Sequence, residues 1–170
     1  MARSGKKSII LVQDVTKTLG DGGELIGELS EHTHSKENEL LDEQTKFGRI
    51  LAYGNTSESF EITAYRDPAD AGQNAVADAL DNERQIKIWE INTDLNANGK
   101  HDAIFAYALV ENTDKDSSGD GLEEFSSTLQ VIGKSQKGEL DKLPDEMLNF
   151  GQYGFEVPGE TGTEPPAAGA

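Results

Sequence analysis

Several stretches of this sequence repeat their apolar residues every second position, which commits the chain to strands. In "SESFEITAYR", Phe60, Ile62 and Ala64 alternate with Ser59, Glu61 and Thr63, the pattern of a strand with one buried face. "LEEFSSTLQVIG" repeats it, with Phe125, Leu129 and Val131 on one side and Glu124, Ser126, Thr128 and Gln130 on the other. "QIKIWEI" carries the single tryptophan, Trp89. "AIFAYALV" is apolar on both faces, so it belongs at the centre of a sheet rather than at its rim. A chain patterned this way folds as a mainly β domain.

One segment departs from the two-residue period. Asp67 is placed to cap a helix, Pro68 to occupy its first position and Asp70 to lie three residues on; Gly72, Val76, Ala79 and Leu80 then form a narrow apolar stripe. The stripe predicts one helix packed on a sheet. Elsewhere, "KSIILVQ" opens the chain as a strand, followed by the glycine-rich turn "TLGDGGE". Leu25 to Ser35 reads as a weaker strand with Glu28, Ser30, His32 and His34 on one face. The polar run Lys36 to Gly48 has neither period and reads as a long ribbon or loop. After the last patterned strand, one helical turn is expected around Pro144 to Leu148, then a short strand in "QYGFEV". The Pro/Gly-rich residues 158–170 are expected to be disordered.

The loop "DLNANG" imitates the opening of a calcium loop, with Asp94, Asn96, Asn98 and Gly99 at the right spacing. Calcium loops close with a bidentate glutamate at position twelve; here that position is Phe105. "DKDSSGDGLEEF", read from Asp114 or Asp116, closes on Phe125 or Ser127 and fails for the same reason. Asn98-Gly99 instead signals the tip of a β-hairpin, and placing the turn there pairs Trp89 with Ala108 and Ile91 with Ala106. No nucleophile elbow or phosphate loop is present, and with no cysteine there is no thiolate chemistry. His32 and His34, two apart, offer two metal-ligand nitrogens without a third ligand in the pattern. The chain therefore reads as a non-enzyme, with no cofactor and no metal assigned.

Charge constrains the partners. The chain carries 32 acidic and 15 basic residues, a net charge of −17, which opposes binding to phosphate backbones. The short apolar run near the N-terminus is too brief for a signal segment or a membrane span, so a cytoplasmic site of synthesis and no membrane partner are expected.

The runs "LLDEQTKFGRIL", "DAGQNAVADALDNERQIKIWEI", "DAIFAYALVE" and "STLQVIGKSQKGELDKLPDEMLNF", in this order, resemble the major tail tube proteins of long non-contractile-tailed bacteriophages, especially those of Gram-positive hosts. The resemblance implies a two-sheet β-sandwich flanked by one α-helix, with a long inter-strand loop and an extended C-terminal arm. It places one domain over residues 1–157, the arm beginning near residue 140. It further implies hexameric rings stacked into a hollow tube, assembled in the bacterial cytoplasm and retained in the virion. The tube surrounds a tape-measure protein, joins tail terminator and distal tail proteins, and passes DNA without binding it specifically. Under that reading Leu41, Asp42, Glu43, Gln44, Lys46, Phe47 and Arg49, with Leu140, Leu143, Pro144, Met147 and Phe150, are candidate contacts between protomers and rings. Glu28, Glu61 and Glu124, on polar strand faces, are candidate lumen carboxylates. The alternative is a monomeric acidic β-sandwich that binds carbohydrate or calcium.

Overall fold

A computed structural model describes residues 2–17 and 23–148. In chain order it contains strands β1 (Ser8–Asp14), β2 (Glu24–Leu25), β3 (Leu29–Thr45) and β4 (Gly48–Tyr65), then helix α1 (Ala71–Asp81). Strands β5 (Gln85–Leu95), β6 (His101–Asp116), β7 (Glu124–Val131) and β8 (Gln136–Leu140) follow, and a single turn, α2 (Asp145–Leu148), closes the described chain. The mainly β expectation holds. The hydrogen bonding, however, forms one antiparallel sheet in the order β2-β1-β5-β6-β7-β4-β3, with β8 also on β6, rather than two separate sheets.

The pivot is β6. Its first part pairs with β5 and with β8, its second part with β7. The apolar segment read as central is therefore flanked on both edges. The sheet curls so that Ile10, Val12, Ile86 and Ile88 from one end share a core with Phe60, Ile62, Phe125 and Leu129 from the other. Curling brings β3, last in the order, back toward β1: the Ser8 hydroxyl lies 3.1 Å from Nε2 of His32. A second cluster lies on the opposite face of β1, β5 and β6, where Leu140 and Leu143 pack near Leu11, Ile91 and Ala103.

The helix forms as patterned, burying Gly72, Ala75, Val76 and Ala79. Its cap is Asp70 rather than Asp67. Asp70 accepts from Gln73 N–H at 2.8 Å and from Gly27 N–H at 2.6 Å, so one carboxylate satisfies both the helix start and the turn after β2. Asp67 instead closes a local turn by accepting from Ala69 N–H. Gly72 is required by close approach: a Cβ there would stand 2.5 Å from the Leu25 carbonyl oxygen.

Three other expectations change or narrow. Leu25 to Ser35 is not one strand, because the chain turns at Ile26 to Glu28, where Glu28 adopts φ 53°, and the pairing is irregular at Ser30. Ser30 is exposed, whereas His32 and His34 turn inward and are half-buried. The β5–β6 register places Trp89 opposite Phe105 and Ile91 opposite Ala103, not opposite Ala108 and Ala106. Two features move it: a wider turn, in which Leu95 stands opposite His101 and the Asn96 side chain accepts from Asn98 N–H and Lys100 N–H, and a register shift between Ile91 and Leu95. Finally, of the two readings of Lys36 to Gly48, ribbon or loop, the structure forms the ribbon. It is the outer half of a β3–β4 hairpin, paired as far as Thr45 opposite Gly48 with one register shift between Asn38 and Leu40. The helical turn near Pro144 is present as α2. "QYGFEV", Phe150 and residues 158–170 lie outside the described residues.

Candidate assembly surfaces

Beyond Glu58 the β3–β4 hairpin leaves the core and becomes an arm. Every residue from Lys36 to Thr45 is exposed, yet the arm is not uniformly polar. Leu40 stands opposite Tyr53 and Asp42 opposite Leu51 on one face; Leu41 opposite Ala52 and Glu43 opposite Ile50 occupy the other. Phe47 at the tip is 102% exposed and Tyr53 is 78% exposed. Both faces of the ribbon thus present large apolar side chains to solvent, a pattern that marks contact surfaces. The backbone edges are open as well: β4 pairs with β7 only from Ser59 to Tyr65, and among the described residues β3 has no neighbour besides β4. Unpaired strand edges are templates for another chain.

The tip is held in shape locally. Thr45 Oγ1 donates to the Gly48 carbonyl at 2.8 Å and accepts from Phe47 N–H. Arg49 binds Asp42 through two hydrogen bonds of 2.8 and 2.7 Å, and these hold the Asp42 carboxyl below its ordinary range. Leu41, Asp42, Glu43, Gln44, Lys46, Phe47 and Arg49, singled out from sequence, all lie on this arm. Leu40, Ile50, Leu51 and Tyr53 were not singled out. The signal available was the unbroken apolar run Ile50–Tyr53, set inside a polar stretch.

The C-terminal candidates separate. Leu140 and Leu143 pack on their own protomer's second cluster. Pro144 is exposed and its carbonyl accepts from Met147 N–H at the start of α2. Met147 lines a cleft with Ser8, Glu28, His32 and Glu90.

The acidic candidates separate too. Glu61 lies between Thr33 and Thr128, and Glu124 between Tyr65 and Asp116, by strand register. Both point away from the core on one face, with Glu31 and Asp114. The strand positions that share this face, from Glu31 to Ser35, Ser59 to Tyr65 and Glu124 to Gln130, include no lysine or arginine. Glu28 sits outside it in the turn, where its carbonyl accepts from Tyr65 N–H.

At the arm's root, Glu58 is buried although charged. Burial would raise its pKa, but bonds from Ser135, His34 and Lys36 more than offset this and bring it to about 2. Ser135 N–H donates at 3.0 Å, His34 Nε2 lies at 2.5 Å and Lys36 Nζ at 3.3 Å. The His34 ring stacks flat on Phe60 at 4.3 Å. Glu90, from β5, faces both histidines and was not foreseen, because nothing in the sequence ties position 90 to positions 32 and 34.

The calcium-like loop bonds internally. Asn96 Nδ2 donates to Asp102 at 2.9 Å and to Glu139 at 2.7 Å, while Asp94 pairs with Lys7 at 2.9 Å.

Comparison with known proteins gives the family of the chain. Residues 2–137 match the family described as phage tail tube protein. The tail tube protein gp17.1* of Bacillus phage SPP1 is 46% identical over 134 residues, covering 78% of this chain and 51%, about half, of that longer relative. The hybrid NMR and cryo-EM structure of the SPP1 tail tube superposes with a TM-score of 0.81 at 40% identity, over 96% of each chain. A gene transfer agent tail refined helically with C6 symmetry shares the fold, with a TM-score of 0.63 at 20% identity over 79% of this chain and 98% of that one. The chain therefore belongs to the phage tail tube protein family.

Proposed function

We propose that this chain is the repeating subunit of a phage tail tube, closing into hexameric rings that stack around a lumen. The observation that carries the reading is the arm. A ribbon with Leu40, Leu51 and Tyr53 on one face and Leu41 and Ile50 on the other gains stability only when neighbouring protomers cover it. Family membership supplies the setting, and the fold shared with a six-fold tail is consistent with rings of six. Assembly in the host cytoplasm, a tape-measure protein in the lumen, and terminator and distal tail proteins at the ends follow from that role as further parts of the proposal.

The test is assembly itself. Purified protein should form tubes in negative-stain micrographs as concentration rises, with a matching shift in sedimentation. Phe47→Asp with Leu51→Asp should keep the melting temperature of the protomer and abolish tubes. Tubes built by that variant, or a wild type that stays monomeric throughout, would refute the assignment.

The face bearing Glu61 and Glu124, without lysine or arginine over Glu31–Ser35, Ser59–Tyr65 and Glu124–Gln130, is proposed to line the lumen, with Glu28 in the turn beside it. Repeated carboxylates in a confined channel repel phosphate and let DNA pass without pausing. Glu124→Lys should then give tubes of normal appearance that release DNA slowly, the defect easing as salt rises. Unchanged release, or a map with Glu124 on the outer wall, would reassign this face.

A further inference from the structure

Phe47, at the tip of the arm, is the most exposed large apolar side chain among the described residues. Its turn is held by Thr45, which bonds to both Phe47 N–H and the Gly48 carbonyl, so the ring is presented in a set place. The two cations beside it differ. Arg49 is bound to Asp42, whereas Lys46 is exposed and pairs with no carboxylate among the described residues.

The body carries a surface of matching chemistry. A cleft of about 810 Å³ opens between the N-terminal turn, the turn after β2, the start of β3 and α2, a size that admits more than one side chain. Leu25, Leu29 and Met147 line it, and their own protomer leaves all three only half-buried. Glu28 and Glu31 also belong to its lining and are exposed; neither has an ion-pair partner among the described residues. Lys6 is the one lysine or arginine that lines it.

Tip and cleft lie at opposite ends of one strand. β3 begins at Leu29, in the cleft, and ends at Thr45, two residues before Phe47. At the rise of an extended strand these ends are roughly 50 Å apart. A protomer therefore cannot fill its own cleft with its own tip, but a copy displaced along β3 brings one tip to the next cleft. Contact between two different surfaces of identical chains is heterologous, and it propagates without end unless a rotation closes it.

We propose that the arm tip of one protomer docks in this cleft of a copy in the adjacent ring, with Phe47 on Leu25, Leu29 and Met147 and with Lys46 against Glu28 and Glu31. The pairing rests on the proposed tube and supplies the receiving surface for its arm. Phe47 provides the anchor, since a large aromatic seated in an apolar pocket carries most of a contact's strength. The exposed charges select the register rather than the affinity.

Glu28→p-benzoylphenylalanine sets a photoreactive group at the cleft and leaves Phe47 and the apolar lining unchanged. Irradiated tubes of the full chain should give covalent ladders on denaturing gels that continue past six copies. Mass spectrometry should map the bridge to residues 45–49 of another copy. No bridge, a bridge to residues after Leu148, or a ladder that stops at six would overturn the docking while leaving the tube itself intact. Charge exchange decides the matter if the photoreactive variant builds no tubes. Lys46→Glu and Glu28→Lys should each raise the concentration required for tubes about threefold, and together should restore it. No recovery in the combined variant would overturn the docking as well. A wild type that forms no tubes refutes the tube assignment, and the docking falls with it.

Discussion

The same two strands, β3 and β4, behave differently on either side of Glu58. From Ser59 to Tyr65, β4 is paired on both edges, and Phe60, Ile62 and Ala64 are buried. From Gly48 to Ser57 the ladder with β3 continues, but the second neighbour is gone and the side chains lie largely in solvent. The β3–β4 ladder thus continues along the hairpin while the pairing to β7 and the burial both fall away. An isolated two-stranded ribbon is marginal in water. The arm holds its shape because the body anchors one end, and its apolar faces remain available for another chain. The body half of the hairpin thus carries folding, and the arm is the half proposed to carry assembly.

Substituting the same strand on either side of the boundary tests this separation most strongly. Phe60→Ala removes a fully buried ring from the main core and should cost roughly 3–5 kcal/mol in chemical denaturation. Leu51→Ala, nine residues earlier in the strand and 54% exposed, should leave the protomer's denaturation midpoint unchanged. It should raise the concentration needed for tubes instead. Equal losses in the two protomers would mean that the arm is packed on its own body.

A smaller contrast concerns two carboxylates. Asp70→Ala leaves the buried Gly27 and Gln73 amides without their acceptor, and should destabilise the protomer by about 2 kcal/mol. Asp42→Asn loosens the exposed pair with Arg49, and the thermal melt of the protomer should not move. A fall in melting temperature for Asp42→Asn comparable to that for Asp70→Ala would show that the arm's tip contributes to folding.

Elements that bury one side were legible in the sequence. Phe125 and Leu129, Phe60 and Ile62, and the helix stripe from Gly72 to Ala79 all lie inside, because a half-buried element writes its period into its residues. The arm wrote none. Its apolar residues fall on both faces with polar ones between them, so no single face is marked out. The helix cap was displaced by three residues because Asp67 and Asp70 satisfy the same local pattern, and only the tertiary bond to Gly27 distinguishes them. The β5–β6 register failed similarly: Asn98-Gly99 signals a tight turn, but Asn96 organises a wider one. The candidate contacts on the arm came from a resemblance to a family and not from any period in the residues. The Glu90 position was not, since only the curl of the sheet brings β5 beside β3.

The bonds that converge on Glu58 have a mechanical consequence. From Glu58 to Phe47 the ribbon is a lever of about 35 Å at the rise of an extended strand. A rotation of about 3° at its root would move the tip by roughly 2 Å, enough to take Phe47 out of a fitted pocket. Ser135 from the connection after β7, and His34 and Lys36 from β3, hold that root from two directions. In a stack of identical rings an angular error at one joint is repeated at every level. In the proposed stack of rings, a stiff root on each arm serves to keep the cylinder straight and its bore aligned.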